Sequence, residues 1–561
     1  MVETRHVLAT QAGALEFLWN EGNLRAVKFD GVEILRGLSA PVRDAGWGTV
    51  GEAVISNEVE AAGNRWRARC VSRLSGIDAE KTVTIEIVKK GDAAEIVARF
   101  ALQANEPFES NRAGFCVLHP LEGVRGTPVE VIHSDGTTEA VRFPETIMPG
   151  QPIFDILGLR SNIFGVKTDF RFQGEIFEME DQRNWSDASY KTYCRPLAMP
   201  LPIRIAPGTN LTQTITITLS GDAGAGGPAV RETSKSVRLP GIRLAVEPQW
   251  LAQPPVATDG FTIRAGTQIE WSDADFARLK DVIGRDGAFD LELAVADPES
   301  EIAAIASRLA AHGLTPEQVV ALPLAYMKSF QPSGPWPDPP GPEDTARIAA
   351  QAFPRSRIGV GMLTNFTEFN RCPPPAGIGD FVTYSTTAIV HAADDRSVLE
   401  TLEALPDIFA SAANLSGSRP QRLGLVTIPM RSNPYGPGLV EPDPSARTYI
   451  TMTDRDPRHA GPLGAIFAAA AVIEAADAGV QSLCLAAPSG PFGLTDERGH
   501  PTPLSRLISA LGRFDTGELT LARHGAHECV LSDSTRSLTV RKNPDDPVLV
   551  IRDGNDEETI R

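Results

Sequence analysis

No run of apolar residues in this 561-residue chain approaches the ~20 needed to span a bilayer. The longest candidate, Gly464 to Val472, is alanine-rich, stops at Glu474 and reads as a buried helix. Basic residues are in deficit: the net charge is −18 and no basic patch offsets it, which excludes nucleic acid and anionic membrane as partners. Cysteine is sparse. Cys70, Cys116, Cys194, Cys372, Cys484 and Cys529 lie far apart with no CxxC pair, so reduced thiols and a cytoplasmic location are expected. The opening MVETRHVLAT lacks the charged and apolar regions of a signal peptide. Also missing are GxGxxG after a strand, a GxSxG elbow, HExxH and phosphate-binding glycine loops. Their absence removes the usual signals for a dinucleotide fold, an α/β-hydrolase nucleophile and a zinc site. Neither metal nor cofactor is therefore expected. The sequence leaves oligomeric state open.

A chain this long needs two or three cores. To about Leu219 it shows short period-two strands, among them Ala14 to Leu18, Leu24 to Phe29, Thr82 to Val88, Ala94 to Ala101, Val129 to Ile132 and Thr212 to Leu219. A turn through Asp30-Gly31 marks a hairpin, and an antiparallel sandwich of many strands follows. GDAGAGGP, Gly221 to Pro228, is the plainest linker. Beyond it, apolar strands alternate with amphipathic helices: Leu291 to Val295 with a helix from Pro298, Val319 to Tyr326, Arg357 to Met362, and Phe381 to Val390. The last of these leads to a helix with Asp395 as N-cap carrying Val398, Leu399, Leu402 and Leu405. Leu423 to Met430, a helix from Gly461 to Gly479 and Val480 to Ala487 complete a (β/α)8 TIM-type barrel. From about Gly517 the chain returns to short strands, and DGNDEETIR reads as disordered. The expected architecture is an N-terminal β-sandwich (1–228), a central (β/α)8 barrel (229–510) and a small C-terminal β domain (511–561).

One stretch behaves unlike fold-building sequence. Gly174 to Cys194, GEIFEMEDQRNWSDASYKTYC, gathers Glu178, Glu180, Asp181 and Asp187 with Arg183, Asn184, Lys191, Trp185, Tyr190 and Tyr193, in neither strand nor helix period. Polar groups that crowd around aromatics needing burial must satisfy one another, and such networks gather at sites. The alternative is a sheet corner whose charges pair for packing. In a barrel the site lies where strands end, which selects Glu368, Asn370 and Arg371, then His391, then Arg431 and Asn433, then Ser489, with Asp454 and His459 in the following loop. The candidate catalytic residues are Glu368, His391, Glu180 and Asp181. The candidate substrate-binding residues are Arg183, Asn184, Lys191, Tyr193, Asn370, Arg371, Arg431 and Asn433. A carboxylate, an imidazole, arginines and amides on one rim suit acid/base work on a neutral, hydroxyl-rich substrate.

Three pieces, FEMEDQRNWSDASYKTYC (Phe177 to Cys194), GVGMLTNFTEFNR (Gly359 to Arg371) with VTYSTTAIVHAADDRSVLETLEA (Val382 to Ala404), and LAAPSGPFGL (Leu485 to Leu494), resemble the D-apionate lactonase family. The resemblance covers nearly the whole chain and implies hydrolysis of D-apionolactone, a branched-chain aldonolactone, to D-apionate in apiose catabolism. On that reading Glu368 or His391 activates water, Arg431, Asn433 or a protonated His391 meets the oxyanion, and Glu180, Asp181, Asn184, Lys191 and Tyr193 hold hydroxyls. The alternative is a glycoside hydrolase, which needs two carboxyls flanking one bond, the second to be found among Asp454, Glu292, Glu178, Glu180 and Asp181. In either case the partner is a small-molecule sugar lactone or glycoside.

Overall fold

The computed structural model describes residues 3–10, 13–221, 232–284, 287–442 and 449–561. Apart from Gly221, the expected linker Gly221 to Pro228 lies outside them. The chain forms two compact bodies, one of residues 1–182 and 189–229, the other of residues 183–188 and 230–561.

The first body is built from antiparallel strands whose side chains alternate in burial. Ala79–Lys90 and Ala93–Ala104 show this most regularly, one face packed and the other wet. An eight-stranded sheet and a nine-stranded sheet are accompanied by a small three-stranded one. The larger two meet through aromatic contacts such as Phe17 against Trp66, with centroids 4.9 Å apart. The hairpin at Asp30-Gly31 forms as expected, with both residues in the left-handed region (φ 50° and 82°), the backbone that a tight two-residue turn demands.

In the second body, eight parallel strands close into a barrel: Gly241–Val246, Phe261–Gly266, Phe289–Val295, Gln318–Pro323, Arg357–Asn365, Phe381–Thr387, Arg422–Thr427 and Ser482–Ala486. Strands shielded on both sides read as continuous apolar runs, and Phe289–Val295 is buried at every position. The Ala-rich helix Pro462–Asp477 is buried all round from Gly464 to Ala476. No helix among the described residues is long and apolar enough to cross a membrane.

The structure departs from expectation in three places. The helix after His391 is capped by Asp394 rather than Asp395, and it breaks into Asp395–Glu400, a 3-10 turn and Leu405–Ser416. Pro406 in the first turn of the last piece, lacking an N–H, forces a fresh start there. The tail is ordered: Asp556–Ile560 pairs antiparallel with Val548–Asp553, buries Ile560 and forms ion pairs through Glu557 with Arg552 and Glu558 with Arg506 (both 2.6 Å). Finally, the C-terminal six-stranded sheet takes its edge strand, Thr233–Val237, from ahead of the barrel. That sheet is fastened to the buried helix by Glu474, which accepts from Lys542 (2.9 Å) and Arg523 (2.6 Å). Burial works against this carboxyl, but the two cations prevail and hold it down at about 2.

Candidate active site

The barrel interior is charged, and its charges are spent on one another. Glu292, on the third strand, accepts from Arg264 (3.0 Å), Arg422 (2.8 Å) and Arg431 (3.2 Å). Its burial would raise the carboxyl, yet three guanidiniums overcome that and hold it at about 2. Arg422 also meets Asp290 at 3.1 Å. Arg431 is anchored a second time on Glu247, at 2.9 Å, and lies over the Trp250 ring. Arg431 therefore plugs the top of an internal salt-bridge lattice.

A different set gathers where the fifth, sixth and seventh strands end. The fifth strand runs straight into the short helix Phe366–Arg371, capped by Asn365 and with Glu368 as its reciprocal capping residue. Glu368 has 0% of its surface exposed, and its Oε2 accepts the Asn365 N–H at 3.2 Å. Its Oε1 has no hydrogen-bond partner among the described residues, although the hydroxyls of Ser329 and Thr364 lie close enough to favour its charge. Burial dominates and pushes the carboxyl up to about 7, against the pull of Ser329, Arg371 and Thr364.

This helix receives residues 183–188, which belong to the barrel body although the strands on either side, Phe177–Asp181 and Tyr190–Tyr193, lie in the other. Asn370 Nδ2 donates to Asn184 Oδ1 (2.9 Å), and the Thr367 hydroxyl donates to the Asn184 carbonyl (2.7 Å). A hydroxyl has one proton, so the Tyr435 hydroxyl, 3.0 Å from Thr367 Oγ1, is the donor in that contact while accepting from Asn365 Nδ2 at 3.1 Å. Trp185 is flanked by the Arg371 guanidinium (4.7 Å), Tyr435 (4.7 Å) and His391 (5.5 Å). Asp187 Oδ2 sits 2.6 Å from His391 Nδ1. A carboxylate can only accept, so the proton is on Nδ1 and Nε2 is left for other chemistry. The His391 side chain is 26% exposed.

The barrel thus brings together Asn184, Glu368, Asn370, Arg371 and His391 from the expected set. Arg431 belongs to the interior lattice. Asn433 shapes the loop that presents Tyr435, donating to the Gly438 carbonyl (2.7 Å) and accepting the Tyr435 N–H (2.9 Å). Arg183 is wholly buried against Asp407. Ser489 donates to the Trp250 carbonyl (3.0 Å), Asp454 is raised by burial, and His459 is buried and pushed down to about 4 by desolvation. The other candidates lie in the sandwich body and are engaged there. Glu180 pairs with Lys191 (3.0 Å), Asp181 accepts the Met148 N–H (3.1 Å), and the Tyr193 hydroxyl donates to Glu178 (2.5 Å).

Two residues of the cluster escaped sequence reasoning. Asp187 was noted within its polar stretch, but nothing linked it to His391, 204 positions away. Tyr435, in a loop of Pro and Gly, carried no signal. Among the described residues, no group of three or more His, Cys, Asp and Glu side chains is arranged to hold a metal ion.

Two family models match the chain, "D-apionate lactonase, N-terminal domain" over residues 2–222 and "D-apionate lactonase, TIM barrel domain" over residues 261–516. A protein of Brucella anthropi named D-apionate lactonase is 40% identical over 518 residues, covering 88% of this chain and 84% of that relative. Among solved structures, an alpha-galactosidase from Geobacillus stearothermophilus aligns over 98% of this chain and 94% of its own at 10% identity, with a TM-score of 0.28. A putative aldose 1-epimerase from Escherichia coli K12 aligns over 39% and 100% at 10% identity, with a TM-score of 0.25. Those two scores are too low to carry an argument.

Proposed function

Because this chain belongs to the D-apionate lactonase family, we propose that it opens D-apionolactone to D-apionate by acid/base-assisted attack of water. The observation that supports this reading best is the state of His391. It is partly open at the barrel rim, with Nδ1 committed to Asp187 and Nε2 left to handle a proton. Glu368, the other candidate base, is enclosed and spends one oxygen on capping its own helix. His391 Nε2 takes a proton from water as the water oxygen bonds to the lactone carbonyl carbon. The carbonyl π electrons move to oxygen, and Arg371, stacked on Trp185, supplies positive charge to that oxyanion. On collapse the C–O bond of the ring breaks, and the leaving alkoxide recovers the proton from the imidazolium. The new carboxylic acid then ionises and releases one proton to solvent.

Glycoside cleavage is less well supported, since it needs two available carboxyls about 5 to 9.5 Å apart. Glu292 is locked by three arginines, and Glu178, Glu180 and Asp181 are engaged within the sandwich.

Proton release on a panel of aldonolactones including D-apionolactone, with aryl glycosides assayed beside them, tests the reading. Lactone opening that falls about 10²- to 10⁴-fold in His391→Asn, while Glu368→Gln keeps at least about a tenth of the rate, is the expected result. Cleavage of glycosides without lactone opening, or an unimpaired His391→Asn, would overturn it.

A further inference from the structure

We propose that Asp187 is a positioning residue for the reaction, and that residues 184–187 are docked on the helix Phe366–Arg371 in order to hold it against His391. The inference rests on the reading of His391 as the group that moves the proton.

The contrary view is that Asp187 and His391 form an ordinary rim ion pair, of little consequence. Three observations favour a built device. First, the contact is short, 2.6 Å, and joins the one ring nitrogen whose protonation fixes which tautomer faces the substrate. Second, the residues just before Asp187 are over-anchored. Asn184 is gripped through both its side chain and its carbonyl, and Trp185 is enclosed by a guanidinium, a phenol and the edge of His391 itself. Third, Ser186, between the two, is a non-glycine residue with φ 71° and is buried. An L-residue stays in the left-handed region only when its surroundings impose it. The turn is closed by the Ser186 N–H on the Arg183 carbonyl at 3.0 Å. It lets Trp185 and Asp187 both reach His391 from one short segment.

The motif NFTEFNR thus acquires a role that does not require Glu368 to touch substrate. Thr367, Asn370 and Arg371 each hold one part of the docked segment, while Glu368 caps the turn that presents them. Arg371 and Tyr435 each pack on the Trp185 ring at 4.7 Å.

The test combines kinetics with a spectroscopic signature. Asp187→Asn is expected to lower kcat by about a hundredfold or more while changing KM by less than about threefold, and Asp187→Glu to restore part of the loss. The native protein is expected to show a strongly downfield proton resonance from His391 Nδ1–H, absent in both Asp187→Asn and His391→Asn. If Asp187→Asn retains near-native kcat, or if the native protein lacks the downfield signal, the inference fails. The signal needs no variant to fold. An inert His391→Asn beside an active Asp187→Asn would sink this inference and leave the lactonase reading standing. An active His391→Asn would sink that reading itself.

Discussion

Arg183 and Asp407, 224 positions apart, form an ion pair with an Nη1 to Oδ2 distance of 2.8 Å and no exposure of the arginine side chain. It fixes the start of the docked segment to the barrel's outer helix Leu405–Ser416. A buried pair is costly to break from one side, because the abandoned charge has no water to turn to. Arg183→Met is therefore expected to destabilise the protein by about 3 to 5 kcal/mol in urea unfolding, and Arg183→Met combined with Asp407→Leu to recover much of that loss.

Glu368 makes stability depend on pH. Its folded carboxyl titrates at about 7, against about 4.3 when unfolded, so between those values the native state keeps a proton that the unfolded chain has lost. Stability is highest below the unfolded value and declines as pH rises through 7, by about 4 kcal/mol for this group. Glu368→Gln should flatten that decline. Urea unfolding of both proteins at pH 5 and pH 8 measures the difference.

Glu474 has the opposite sign. Its carboxyl is held at about 2 when folded, so its contribution is complete above about 4.3 and is lost as pH falls toward 2. Glu474→Gln leaves Lys542 and Arg523 facing a neutral amide and is expected to lower the melting temperature at pH 7 by several degrees, with a smaller deficit near pH 3. Equal deficits at both pH values would contradict this.

Removing the final strand by a stop after Gly554 should leave the strand Val548–Asp553 as an unprotected edge. Loss of soluble yield or a raised tendency to aggregate, seen by size-exclusion chromatography, is the expected outcome.

The barrel was legible because doubly covered strands must be apolar, and Leu291 to Val295 or Leu423 to Met430 announce themselves. Thr233–Val237 and Asp556–Ile560 were not, since each buries little beyond Val237 or Ile560 and owes its place to backbone pairing. Site residues were findable where position marks them: Glu368 and His391 follow strands. The pairing of Asp187 with His391 depends on a turn at Ser186 and on the docking of Asn184, neither of which leaves a trace in spacing. Arg431 reads from its place after a strand as a substrate-binding residue, and it is instead absorbed by Glu292 on the third strand and Glu247 just after the first, acids whose inward direction the sequence does not disclose.

The edge strand that the C-terminal sheet borrows from ahead of the barrel also sets a timetable. Ser236 donates to Glu518, 282 positions later. At about 5 to 20 residues per second, a ribosome exposes Thr233–Val237 for roughly 15 to 60 seconds before its partner strand exists. The nascent barrel spends that interval beside an open seam, which the strand Leu519–His524 later closes.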